Sequence, residues 1–173
     1  MSISDILTHT PIWVWLLLGY LLLRGIKALR TREMTVQRML VLPILFLVWG
    51  VWSIFAELSN WPVALVVFAM LLGAGLPVGW LLGLHLPPAH FDRSTGLISR
   101  PGSPQTLILV TLGFSLKYIL TVYLAYEPAL ASEANTCALF GGISGGIDGI
   151  FWGGTALQMT QAFRRLEQVA AKN

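Results

Sequence analysis

Charged residues are scarce in this sequence. Asp, Glu, Lys and Arg make up 11% of its 173 residues, whereas soluble domains carry about 25%. Hydrophobic residues make up 55%, and the mean hydropathy is +0.73. This balance excludes an ordinary soluble domain and predicts an integral membrane protein. Because apolar segments and short connections take up nearly all the length, we expect a single transmembrane domain over residues 1–173.

Cysteine occurs once, at Cys137, which excludes an internal disulfide and a CxxC redox site. The sequence also lacks a serine-hydrolase elbow, a phosphate loop, a zinc-binding helix and a paired-carboxylate site. His85, His90 and Asp92 are near neighbours, but their spacing matches no metal motif. We therefore predict a non-enzymatic protein with no catalytic residues, no metal and no cofactor.

The apolar segments predict an all-α integral membrane fold with five transmembrane helices. Residues 1–10 contain no basic n-region of the kind that cleaved signal peptides carry, so the first helix is expected to be retained. Pro43 and Pro77 fall inside the second and third helices and predict a bend in each. The five helices are expected at about residues 11–30, 35–58, 62–86, 103–126 and 135–166.

The one polar stretch between apolar segments spans residues 87–102. Residues 92–96 have the composition of a turn, and Leu97-Ile98 favours a strand. A small cytoplasmic β-hairpin between the third and fourth helices is therefore predicted. Ser103-Pro104 then predicts a helix start, with serine as N-cap and proline in the first position.

Glycines recur every four residues in the third and fifth helices. This spacing puts them on one helix face, where the missing side chains let a neighbouring helix approach closely. We predict that they form helix-packing seams. The residues are Gly75, Gly79 and Gly83 in the third helix, and Gly141, Gly145, Gly149 and Gly153 in the fifth.

The basic residues predict the orientation in the membrane. With five crossings, every Lys and Arg except Lys117 falls on one side, which the positive-inside rule assigns to the cytoplasm. The N-terminus is then outside and the C-terminus cytoplasmic, in a bacterial inner membrane. This placement, and not nucleic acid, accounts for the pI of 9.4. The basic end of the first helix, predicted to anchor the topology and meet lipid headgroups, contains Arg24, Lys27, Arg30 and Arg32.

Two ionisable residues fall deep inside apolar segments. At 1.5 Å per residue, Lys117 lies ~18 Å from Gln105, and Asp148 lies ~20 Å from Asn135. Both therefore lie near the membrane midplane, on helices joined by a short loop, and we predict an intramembrane contact between them. Such a pair either pins two helices together or belongs to a proton or solute path.

Other polar residues are interpreted more simply. A set of polar residues at or near the outer surface is interpreted as solvated groups at helix ends, with a shared cation site as the alternative: Asp5, His9, Glu57, Glu127 and Glu133. Ser144, Thr155 and Gln158 of the fifth helix either line a polar crevice or bond to a neighbouring helix.

Several short features carry a family resemblance. They are the basic end of the first helix, the Leu42-Pro43 entry to the second, the glycine-rich third helix, the turn at residues 91–96 followed by Ile98, and Lys117. On these, the chain resembles uncharacterised bacterial inner-membrane proteins and, more distantly, CcdC-like membrane proteins. The CcdC-like resemblance implies an association with cytochrome c biogenesis.

The sequence leaves three functions open. The first is an accessory or small-solute-handling membrane protein of unassigned substrate, built around Lys117 and Asp148. The second is a proton-coupled transporter of small solutes that works as a homo-oligomer. The third is an assembly subunit within a larger membrane complex, such as one for cytochrome maturation. The expected partners are the lipid bilayer and either further copies of the chain or another membrane protein.

Overall fold

A computed structural model describes residues 12–92 and 95–170. The chain is mostly helical, and five α-helices confirm the predicted helical class. In the described part of the chain, α2, α3 and α4 are long and apolar enough to span a membrane. The helices are α1 (Ile12–Lys27), α2 (Val36–Glu57), α3 (Trp61–Leu84), α4 (Pro104–Tyr126) and α5 (Ala134–Ala170).

Side-chain caps begin two of these helices. The Thr35 hydroxyl accepts a hydrogen bond from the Arg38 backbone N–H at 3.4 Å and caps α2. The Ser103 hydroxyl accepts one from the Gln105 N–H at 3.1 Å, with Pro104 next in the chain. The predicted start of α4 is therefore confirmed. A short 3₁₀ helix, Pro128–Ser132, joins α4 to α5.

A three-stranded antiparallel sheet lies beside the helices. Its strands are β1 (Arg32–Met34), β2 (His90–Asp92) and β3 (Leu97–Arg100), in the order β1-β3-β2. The predicted hairpin is confirmed as β2 and β3, with Gly96 at φ +67° in its turn. The first helix ends at Lys27, not at Arg30 as predicted, because the chain turns there and enters β1.

Helices α3 and α5 lie backbone to backbone along the predicted glycine faces. A Cβ at Gly145 would collide with the Phe68 carbonyl oxygen, and one at Gly79 with that of Ile150. Six of the seven predicted glycines have backbone atoms of the facing helix this close, and Gly83 instead meets the Leu157 side chain. Gly141, Gly149 and Gly153 oppose Ala64, Leu72 and Leu76, whereas Gly75 and Gly83 oppose Gly146 and Leu157.

The remaining faces of α5 pack on α2 and α4 through a mixed core of aliphatic and aromatic side chains. Phe46 of α2 stacks on Phe151 of α5 with ring centroids 5.2 Å apart. Val110 and Phe114 of α4 are buried in the same cluster. Both α2 and α3 continue as single helices through Pro43 and Pro77.

We expect an alanine at Gly145 to destabilise the protein and an alanine at Gly146 not to. At Gly145 the new methyl group meets backbone, and overpacking of this kind costs about 1–3 kcal/mol. At Gly146 its nearest neighbour is a Leu71 methyl group 4.0 Å away, and alanine favours the helix by up to about 1 kcal/mol. Melting in detergent checks this, and equal shifts for the two variants would contradict the backbone approach.

Candidate functional site

A polar stripe runs along one face of α5. Ser144, Asp148, Thr155 and Gln158 follow the helical repeat, with Phe151 between them, and all five are buried. The stripe is offset by one residue, or about 100° of rotation, from the glycines that face α3. It is therefore turned towards α2 and α4. The seam with α3 determines which side chains of α5 reach the interior of the helix bundle.

Lys117 and Asp148 line the same small cavity between α2, α4 and α5. Their side chains are 4% and 2% exposed, and Ser144, Gly113 and Phe46 complete most of the lining. The cavity measures about 10 Å³, close to the roughly 10–15 Å³ that one water molecule requires. The structure thus brings the two predicted residues to the wall of one small, mostly apolar cavity.

The Asp148 carboxylate points towards α2. A methyl group at Gly50 would lie 2.8 Å from Asp148 Oδ2 and 3.1 Å from Phe68 Cε2. The absent side chain at Gly50 therefore makes room for the carboxylate. Asp148 Oδ2 is buried and has no hydrogen-bond partner among the described residues, so Lys117 does not bond to this oxygen directly.

Aromatic rings hold the Lys117 ammonium group. Its Nζ lies 4.8 Å from the ring centroid of Trp49 and 5.7 Å from that of Phe140. Both distances are within the range in which a cation is attracted to a ring face. Lys117 is therefore stabilised by two π-systems as well as by the negative charge of Asp148, with which it interacts electrostatically.

Glu57 is the functional candidate that the sequence analysis missed. It was interpreted as a solvated helix end, but it is half-buried, and its Oε2 accepts a hydrogen bond from the Thr121 hydroxyl at 2.7 Å. Thr121 lies one turn beyond Lys117 on α4, and the charge of Glu57 interacts with Lys117. No local pattern signals this, since Glu57 and Thr121 are 64 positions apart.

A second polar region, which we call the arginine cleft, lies further along the same α5 stripe. It is lined by Thr155 and Gln158 together with Arg24, Arg32, Arg38 and Arg100. Four basic residues at the end of the predicted first helix were expected to meet lipid headgroups. Of these, Arg24 and Arg32 line the cleft, whereas Lys27 and Arg30 are not among its described lining residues. The stacked rings of Phe46 and Phe151 lie between this cleft and the Lys117 cavity.

Two of the three histidines, His85 and His90, lie in the part of the chain that the structure describes. His85 places its Nδ1 3.1 Å from the Leu81 carbonyl oxygen, at the end of α3. Within residues 12–92 and 95–170, no group of three His, Cys, Asp or Glu side chains is placed to hold a metal ion.

These features define a class: a five-helix protein with three candidate membrane spans and a charged cluster enclosed among its helices. Within that class, the chain belongs to the Family of unknown function (DUF6622), whose sequence model matches residues 1–168. The predicted membership of an uncharacterised family is therefore shown, whereas the resemblance to CcdC-like proteins is not.

A curated relative supports the same placement. Uncharacterized protein PM0739 of Pasteurella multocida (strain Pm70) is 38% identical over 79 residues, which are 46% of this chain. The match spans about half of that relative, 55% of its length. No solved structure matches the chain.

We expect Gly50→Ala to lower the free energy of unfolding by about 1–3 kcal/mol, because its methyl group competes for space with Asp148. In an Asp148→Ala background this loss should shrink, with a coupling energy of about 0.5–3 kcal/mol. Gly73→Ala is the matched control, since no side chain or other helix among the described residues comes within 4 Å of a methyl group there. An identical Gly50→Ala penalty in both backgrounds would show that the carboxylate lies elsewhere.

Proposed function

We propose that the chain is an inner-membrane protein with five crossings, its N-terminus outside and its C-terminus cytoplasmic. The gathering of Arg24, Arg32, Arg38 and Arg100 at one cleft supports this orientation, since they come from four different elements. Basic residues concentrate on the cytoplasmic side of membrane proteins. The glycine seam between α3 and α5 acts in this proposal as a glycine zipper that holds the bundle closed.

The proposed activity is non-enzymatic: the protein conducts protons along the interface of α2, α4 and α5. One observation carries this proposal. The buried Asp148 Oδ2 has no hydrogen-bond partner among residues 12–92 and 95–170, and Asp148 shares a cavity with Lys117. Ionisable residues inside a membrane are costly and commonly mark ion or proton pathways.

A purely structural role for the two charges has less support. Two buried charges stabilise a fold well only when further hydrogen bonds satisfy their remaining lone pairs and protons. Within the part of the chain that the structure describes, Asp148 Oδ2 accepts no such bond, whereas Glu57 accepts one from Thr121. Asp148 Oδ2 therefore lies in a cavity with the Lys117 cation, accepts no hydrogen bond from the described residues, and can take up a proton.

The polar groups form an interrupted path along the bundle. Glu57, Lys117 and Asp148 alternate in charge from the end of α2 to the middle of α5. Beyond Asp148, the stacked rings of Phe46 and Phe151 separate this cluster from the arginine cleft. In the proposal these two rings form a closed gate. When the rings move apart, the charged cluster and the arginine cleft become connected.

The assembly role has less support from the same structure. An exposed glycine seam would have offered a surface for a partner helix, but α3 and α5 cover each other's glycines. Cys137 is fully buried and donates to the Ala131 carbonyl oxygen at 3.3 Å, which does not favour thiol chemistry. Homo-oligomerisation and cytochrome maturation stay predictions from the sequence.

Proton flux into vesicles tests the proposed function. The purified chain is reconstituted into vesicles that enclose a pH-sensitive dye, and valinomycin sets a potassium diffusion potential. We expect flux above that of empty vesicles, and a loss of about tenfold or more for Asp148→Asn and for Lys117→Met, equivalent to a barrier increase of about 1.4 kcal/mol or more.

Glu127→Gln is the matched control, because it removes a carboxylate that is exposed at the end of α4. Only variants that elute from size exclusion like the wild type are compared. Flux equal to that of empty vesicles in the wild type, or full flux in Asp148→Asn, would overturn the proton path.

A further inference from the structure

Four arginines from four separate elements converge on the arginine cleft. Arg24 comes from the last turn of α1, Arg32 from β1, Arg38 from the first turn of α2 and Arg100 from β3. No carboxylate lies among the lining residues in the described part of the chain. The cleft therefore collects positive charge that its own walls do not neutralise.

The small sheet forces two of these arginines together. Arg32 and Arg100 are direct partners in the antiparallel pairing of β1 and β3, and like charges in opposite positions destabilise a sheet. Burial and the charge of Arg32 lower the pKa of Arg100 to about 10. Burial and the charge of Arg24 lower the pKa of Arg32. Both guanidinium groups stay cationic at neutral pH, so the unliganded cleft is electrostatically unfavourable.

Neutral polar groups also line the cleft, beside apolar side chains. The Thr106 hydroxyl accepts a hydrogen bond from Arg100 Nη2 at 3.2 Å and orients that guanidinium group. Gln158 is 2% exposed. Its Oε1 is an acceptor with no hydrogen-bond partner among the described residues, so only its amide N–H groups can bind an anion. Its side-chain amide, and that of Gln105 on α4, bring N–H donors to the same cleft. Arginines, amides and a hydroxyl are the groups that bind the oxygens of a tetrahedral anion.

We propose that the arginine cleft is a binding site for a phosphate group. Guanidinium groups match phosphate oxygens in pairs of parallel hydrogen bonds, and a phosphate offers enough oxygens to bridge several arginines. A bound dianion would offset the repulsion between Arg32 and Arg100. The phosphate belongs either to an anionic lipid headgroup or to a soluble ion, and basic pockets between membrane helices accept headgroups of this kind. Phosphate binding requires only the charged and polar groups of the cleft, so it holds whether or not protons pass between the Phe46 and Phe151 rings.

Thermal stabilisation in a neutral detergent tests the site and separates the two sources. One arm titrates inorganic phosphate against sodium chloride at matched ionic strength. The other titrates a short-chain phosphatidylglycerol against the matching phosphatidylcholine. A ligand that binds the folded state alone raises the melting temperature with concentration. Stabilisation by phosphate indicates a soluble anion, whereas stabilisation by phosphatidylglycerol alone indicates a headgroup.

Two substitutions and one control connect the effect to the cleft. Arg32→Gln and Arg100→Gln should each weaken binding about tenfold or more, the loss expected for a charge-assisted hydrogen bond. Arg32→Gln should also raise the melting temperature without ligand, because it removes one of two opposed charges. Lys27→Gln is the control, since it removes the same charge at the end of α1 outside the described lining.

The combination of higher stability and weaker binding in Arg32→Gln distinguishes a binding site from a structural cluster. The proposal is overturned if neither phosphate nor phosphatidylglycerol stabilises the protein beyond its control. It is equally overturned if Lys27→Gln weakens binding as much as Arg32→Gln and Arg100→Gln, since general surface charge would then explain the effect.

Discussion

The close approach of α3 and α5 is the constraint on which the rest of the structure depends. At Gly145 and Gly79 the facing backbones leave no room for a side chain. Because the glycine face of α5 packs on α3, the rotation of α5 about its axis is determined. The polar stripe from Ser144 to Gln158 therefore faces α2 and α4. The charged cavity and the arginine cleft both lie along that stripe. A helix rotation of about 100° would turn the stripe towards α3 instead.

Local patterns predicted the features that depend on local physics. The lengths of the apolar segments predicted five helices. Ser103-Pro104 predicted the start of α4, and the turn before Leu97 predicted the β2–β3 hairpin. Burial of Lys117 and Asp148 followed from their isolation in apolar segments, since a lone ionisable residue there must find polar surroundings. Each of these signals is contained within one segment of the chain.

The unpredicted features all join distant segments. Strand β1 is three residues long and exists through its pairing with β3, so its own sequence gives no strand signal. The pairing puts Arg32 opposite Arg100. The basic run from Arg24 to Arg32, predicted to be one topology anchor, therefore has some residues in the cleft and others outside its described lining. The same holds for Glu57, which meets Thr121 only after α2 and α4 pack together. Long-range packing thus created the arginine cleft and completed the charged cluster.

The central claim is that Lys117 and Asp148 act as one charged unit inside the bundle. A double-mutant cycle with Lys117→Met and Asp148→Leu, measured by unfolding in detergent, tests it most directly. Each single change leaves an uncompensated buried charge and should cost about 3–5 kcal/mol, whereas the double variant should recover much of that loss. A coupling energy above about 1 kcal/mol supports the account. Strictly additive losses would contradict it, because the two charges would then not interact.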